Sequence, residues 1–186
     1  MSKKKESKTT QIFLIAVIAL ILAGASFFFF VKLSEQQKLS KINSFDECQR
    51  AGFPIMESYP PQCRANNKTF TQDIGNELSY SDEILVSSPR PNQKISSPIT
   101  IEGKARGTWF FEGTMNAKLY DSSNKHLADI ILTARDEWMT ENFVPFSGSA
   151  EFSIPENPKG RLIIHNDNPS GLPENQKELV IPVVFE

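Results

Sequence analysis

One stretch constrains this chain more than any other: Ile12 to Val31, IFLIAVIALILAGASFFFFV, twenty consecutive residues without a charge. An α-helix needs about 20 predominantly apolar residues to cross the hydrocarbon of a bilayer. Inside hydrocarbon the backbone N–H and C=O groups must pair within the segment, so such a run is helical. The run therefore divides the remaining residues between two compartments.

The flanks set the direction. Lys3, Lys4, Lys5 and Lys8 precede the run against Glu6 alone, and Lys32, Lys38 and Lys41 follow it. The tendency of basic clusters to stay in the cytoplasm gives an inside N-terminus and an outside C-terminus. A cleaved signal peptide is the alternative, because Ala23-Gly24-Ala25 has the small-x-small form of a cleavage site. The run exceeds the usual apolar core of such peptides, about 7–15 residues, and cleavage there would expose Phe27 to Phe30 at a new N-terminus. We therefore expect an uncleaved, single-pass anchor at the cell membrane, with the C-terminal part extracytoplasmic. Net charge is −2; residues 1–31 hold four lysines and one glutamate, leaving the rest at −5. That mildly acidic exterior carries no electrostatic footprint for nucleic acid.

The expected organisation is a basic tail (1–11), the transmembrane helix (12–31), a polar stalk (32–43) that extends the helix, a two-cysteine microdomain (44–74), a short linker (75–83) and a main domain (84–186). Cys48 and Cys63 are the only cysteines. Outside the cytoplasm they read as a structural disulfide, since a loop this small, with Met56 and Tyr59 as candidate filling, cannot fold on its own core. There is no C-x-x-C for redox chemistry, and two thiols without a nearby histidine make no metal site. The constrained, proline-rich loop is also compatible with a protease-inhibitory segment.

The main domain alternates with the period of strands. Ile84–Ser87 begins it. Ile99 and Ile101 follow, then Met115, Ala117 and Leu119, then Ala128, Ile130, Leu132 and Ala134. Ala150, Phe152 and Ile154 form a further stripe, then Leu162 and Ile164, then Leu179, Ile181, Val183 and Phe185. Asp121–Asn124 is a turn signal, and Pro182 assigns the last strand to an edge or bulge. About seven short strands in some 100 residues describe an all-β, immunoglobulin-like sandwich, here without an intersheet disulfide.

Four segments of this region carry a family resemblance: ILVSSPRPNQKISSPITIEGKARG from Ile84, WFFEG (Trp109–Gly113), DEWMTENFVPFSG (Asp136–Gly148) and DNPSGLPE (Asp167–Glu174). Together they resemble the second Gmad-type domain, an immunoglobulin-like module of bacterial sporulation and germination proteins. Gly113 departs from the commoner WFFEA. The segment DEC…AGFPIMESYPPQC…TF (Asp46–Phe70) resembles a small cysteine motif of other exported bacterial proteins. The resemblance implies a β-sandwich in an exported or anchored envelope protein and no catalytic activity.

Trp109, Phe110, Phe111, Glu112, Trp138, Phe143 and Phe146 form the candidate binding surface. The six aromatics fall mostly outside the alternating stripes, so they either cap the sandwich as loop-borne core or face a partner. Asp167, Asn168, Pro169, Ser170 and Gly171, with Asn166, form a candidate structural loop held by side-chain-to-backbone hydrogen bonds, with a calcium site as the alternative. His126 and His165 are expected on solvent-facing strand positions outside any ligand motif. Neither G-x-S-x-G nor H-E-x-x-H is present, and no cofactor or metal is implied. Glu112, Asp136 and Glu137 are the carboxylates from which a glycan hydrolase would draw its pair. The sequence thus favours a non-catalytic binding or assembly module whose partner is an envelope protein or glycan; a structural spacer and, behind it, a glycan hydrolase are the alternatives.

Overall fold

The computed structural model describes residues 3–40 and 42–186, with side chains at 12–32 and 42–186. It contains two compact units, residues 1–72 and 73–186.

In the first unit, helix α1 (Lys3–Ser40) contains the apolar run. Residues Ile12–Lys32, 21 in all, are long and apolar enough to cross a membrane, and every one of their side chains is exposed. At 1.5 Å per residue they span about 31 Å, close to the hydrocarbon thickness. Membrane anchors and signal sequences share this length and composition. The helix continues through the expected stalk to Ser40. The lysine side chains of the basic tail, those of the stalk beyond Lys32, and Lys41 lie outside the described residues.

Helix α2 (Phe45–Arg50) starts where Ser44 Oγ accepts a hydrogen bond from the Glu47 amide at 3.2 Å. Glu47 reaches back to the Asn43 amide at 2.8 Å, so two orphan donors are satisfied as in a capping box. Strands β1 (Ile55–Met56), β2 (Gln62–Ala65) and β3 (Lys68–Thr71) form an antiparallel sheet in that order. Cys48 of α2 and Cys63 of β2 are disulfide-bonded and fully buried. Ile42, Phe45 and Ala65 surround the bond, with Phe53 and Phe70 packed against them. Met56 and Tyr59, expected as filling, are exposed instead; Met56 lies on a two-residue edge strand and the phenylalanines occupy the interior.

The second unit begins earlier than the expected domain. Residues 75–83, read above as a linker, pack as part of it. Gly75 adopts φ +70°, and a Cβ there would lie 1.9 Å from the Val180 carbonyl oxygen, so only glycine fits. The Asn76 side chain accepts from the Val180 amide at 2.7 Å and donates to the Glu178 carbonyl at 2.8 Å. A 3₁₀ turn, Glu77–Tyr80, then delivers Tyr80 edge-on to Trp109, ring centres 5.6 Å apart. Because these contacts are made across the sheet rather than within a periodic segment, the polar composition of 75–83 concealed them.

Eight strands follow: β4 (Ile84–Ser88), β5 (Lys94–Ile95), β6 (Ile99–Arg106), β7 (Thr114–Asp121), β8 (His126–Ala134), β9 (Phe143–Ala150), β10 (Lys159–His165) and β11 (Glu178–Phe185). They lie in the order β4-β6-β9-β8-β7-β10-β11-β5, antiparallel except for the short β11–β5 pair. Between β8 and β9 the register covers only Thr133↔Ser147 and Ala134↔Phe146. The sheet curls at that weak seam, and the inward residues of the strands on both sides share one core. The stripes of β6, β7, β10 and β11 are buried as expected, as are Ala128, Ile130 and Leu132 of β8.

One stripe was misplaced. The strand expected around Ala150–Ile154 runs instead over Phe143–Ala150, with Val144 and Phe146 inward; Phe152 is buried beyond its end and Ile154 is 54% exposed. Pro145 hid this strand. Its carbonyl accepts from the Arg135 amide at 2.8 Å, one residue past the end of β8, so its missing N–H costs no bond within the ladder. Pro182 follows the same logic: its carbonyl accepts from Asn92 at the outer edge of β11, beyond the reach of two-residue β5.

Candidate functional site

The family motifs meet at one end of the sandwich. In WFFEG, a 3₁₀ turn (Gly107–Trp109) drops Trp109 into the core, fully buried. Phe110 follows it inward, edge-on to Phe146 at 6.5 Å. The chain then reverses: Phe111 and Thr114 exchange two backbone hydrogen bonds, both 3.0 Å, around Glu112 (φ 50°) and Gly113 (φ 76°). Two consecutive positive φ values make this the type I′ hairpin turn that suits strand twist. Gly113 supplies its second position without strain, and Trp138 packs over the space a side chain would take.

DEWMTEN is a loop closed on itself. Asp136 Oδ1 accepts from the Glu137 amide at 2.8 Å, Glu137 Oε1 from Met139 at 2.9 Å, and Thr140 Oγ1 from Asn142 at 3.2 Å. Trp138 is half-buried and Met139 is 73% exposed. At the loop's end Phe143 lies under two cations, the Arg106 guanidinium at 4.2 Å and the Lys104 ammonium at 5.3 Å from the ring centre.

DNPSGLPE is tied to the first motif by the Asp167 amide, which donates to the Trp109 carbonyl at 3.0 Å. Its shape comes from its own polar groups. Asn168 Nδ2 donates to the Leu172 carbonyl, Ser170 Oγ to Asn168 Oδ1, and Asn166 Oδ1 accepts from the Lys177 amide at 2.7 Å. Asn168 Oδ1, a would-be calcium ligand, thus has a hydrogen-bond donor already. Among the described residues, no three His, Cys, Asp or Glu side chains gather as a metal site.

Of the candidate surface, Trp109, Phe110 and Phe146 are core residues and cannot meet a partner. That is a correction for these three, and its reason is the unrecognised β9 and the inward 3₁₀ turn. Phe111 (41% exposed) and Glu112 remain at the surface, with Trp138 and Phe143 partly accessible. Glu112, Asp136 and Glu137 are all exposed on turns. His126 is exposed, while His165 is partly covered beside Glu178, Nδ1 to Oε1 3.3 Å.

Sequence reasoning missed the polar anchor of this end. Glu83 accepts a hydrogen bond from Trp109 Nε1 at 3.0 Å and another from Lys177. Burial by itself would raise the Glu83 pKa; the hydrogen bonds from Lys177 and Trp109, with the lysine's charge, outweigh it and hold the carboxyl below its ordinary value. For His165 burial lowers the pKa, Glu178 opposes it and Lys118 adds to it, leaving the imidazole below its ordinary value. A lone Glu at the end of the expected linker and a Lys far along the chain gave no pattern to find.

A curled β-sheet with a hydrophobic core and loops knitted at one end defines an immunoglobulin-like module. Residues 83–171 match the Gmad2 family, described as the immunoglobulin-like domain of bacterial spore germination. The match stops at Gly171, short of β11, although β11 completes the sheet. No curated protein and no solved structure gives a match.

Proposed function

We propose that this chain is a membrane-tethered, extracytoplasmic, non-catalytic binding or assembly module of the bacterial cell envelope, with an inside N-terminus. The observation that carries the reading is the joining of a membrane-length apolar helix to a unit stapled by a buried disulfide. Such a bond persists on the outer side, which agrees with the lysine cluster on the other flank. The Gmad2 match supports the envelope assignment and a non-catalytic role. Its docking end is the exposed rim of Phe111, Glu112, Trp138 and Phe143, and its partner is an envelope protein or glycan.

Topology is tested by treating intact protoplasts with an external protease. Removal of the folded domain with retention of a membrane-bound N-terminal fragment supports the orientation; full protection refutes it. Binding is tested by retention of envelope components on the full chain in detergent. Loss on Phe111→Ala or Trp138→Ala, with unchanged circular dichroism, supports the rim. Equal retention by wild type and both variants, or none by wild type, favours the spacer reading.

A further inference from the structure

The outward face of β4, β6 and β9 carries a groove of about 560 Å³ whose lining includes Leu85, Gly103, Pro145, Lys104 and Arg90. Leu85 and Pro145 give it apolar walls on either side of Lys104, while the missing side chain of Gly103 leaves room on the inner face for Phe146. Its surroundings are mainly basic: Lys104 and Arg106 lean over Phe143, and Arg135 reaches Ser147 of the same face, with Glu102 as the carboxylate opposite Ser147. Arg106 also donates to the Glu141 and Asp82 carbonyls of its own chain, at 3.1 and 3.0 Å. Lys104, Arg106 and Arg135 make no ion pair among the described residues. Arg90 is held by Glu77 and by the Val86 carbonyl, which occupies the outer edge of β4 and obstructs addition of a further strand there. The groove must therefore be filled by side chains.

The complementary shape lies on the same domain. The Asp136–Asn142 loop projects Met139, 73% exposed, between Asp136 and Glu137 on one side and Glu141 on the other. None of these three carboxylates is ion-paired among the described residues. The loop's internal hydrogen bonds fix it in advance, which lowers the entropy cost of docking. An unbranched, polarizable methionine suits an irregular apolar groove. Knob and groove share Pro145 at their borders, and an isologous interface would seat each copy's knob at the other's groove.

We propose that the groove receives the acidic Met139 loop of a second copy of this chain, forming a symmetric dimer. Charge complementarity carries the proposal, an acidic rim on the knob and a basic rim on the groove. Confinement to one membrane would raise the effective concentration of both. The proposal stands apart from the identity of any envelope partner.

The test uses the full chain in detergent micelles, with protein mass read by light scattering and folding by near-ultraviolet circular dichroism. Wild type is expected at twice the single-chain mass. Lys104→Glu and Glu137→Lys alone are each expected to weaken association at least tenfold. An equimolar mixture of the two is expected to recover it, because each supplies the charge the other reversed. A monomeric wild type, dimers unaffected by either variant, or folded variants that fail to recover on mixing would each overturn the proposal. A Lys104→Glu chain that stays dimeric yet loses retention on immobilised polygalacturonate also overturns it, in favour of an anionic glycan.

Discussion

Replacing both Cys48 and Cys63 by serine tests the independence of the two units and the source of the first one's order. The bond joins α2 to β2 across a sequence separation of 15 residues. The chain-entropy account gives about 3 kcal/mol for a loop of that length. The interior it secures is small, Ile42, Phe45 and Ala65 with two partly covered phenylalanines, so little else opposes the entropy of the chain. At 1.4 kcal/mol per factor of ten, the local opening equilibrium should shift by about a hundredfold. Amide hydrogen exchange on the full chain in detergent resolves this by segment. Protection over Gln62–Thr71 should fall by about that factor, while β7, β10 and β11 exchange as in wild type. Unchanged protection in β2 and β3 would refute the dependence on the staple. Loss that spread to β7 and β10 would refute the independence of the units.

Two further predictions follow from the second unit. Gly75→Ala combines a positive φ with a clash against the Val180 carbonyl, and should cost more than about 1 kcal/mol, visible as a lower urea midpoint. The pH dependence has two components of the same sign. Glu83, held below its usual 4.5 when folded, stabilises above that value and loses the contribution as pH falls through its folded pKa. His165, held below its usual 6.5 when folded, leaves the unfolded chain binding more protons as pH drops below 6.5, so stability falls there too. Urea midpoints from pH 8 to 3 should decline in both windows. Glu83→Gln should flatten the lower one and His165→Gln the upper; a wild-type midpoint that rises on acidification would contradict the assignment.

The elements most legible in the sequence were those in which one physical rule acted alone. The apolar run was readable because hydrocarbon admits no competing pattern, and Leu162, Ile164, Leu179 and Ile181 because alternate residues on a strand share a face. Legibility failed where two rules conflicted. Pro145 and Gly148 argue against a strand, yet β9 accommodates both: Pro145 lies opposite Arg135, just past the end of β8, and Gly148 lets the Ile131 carbonyl of β8 come close. Trp109 and Phe110 looked like loop aromatics because a 3₁₀ turn, not a strand, buries them. The link from Glu83 to Lys177 depends on a closure between distant segments that no local window contains. Phe111 and Glu112 were legible as surface candidates, but what turns them outward while Trp109 and Phe110 go inward is the hairpin turn at Gly113.

The placement of β11 has a consequence for how the molecule is made. This strand emerges after all the others, yet it lies between β10 and β5 and contributes Leu179, Ile181, Val183 and Phe185 to the core. Until it arrives, β10 presents an unpaired edge and the interior stays open to water. Long-range pairing of this kind is slow, and it cannot begin while the C-terminal segment is still on the ribosome or in an export channel. The domain therefore stays pliable until its last strand is available, and that strand acts as the latch that closes it.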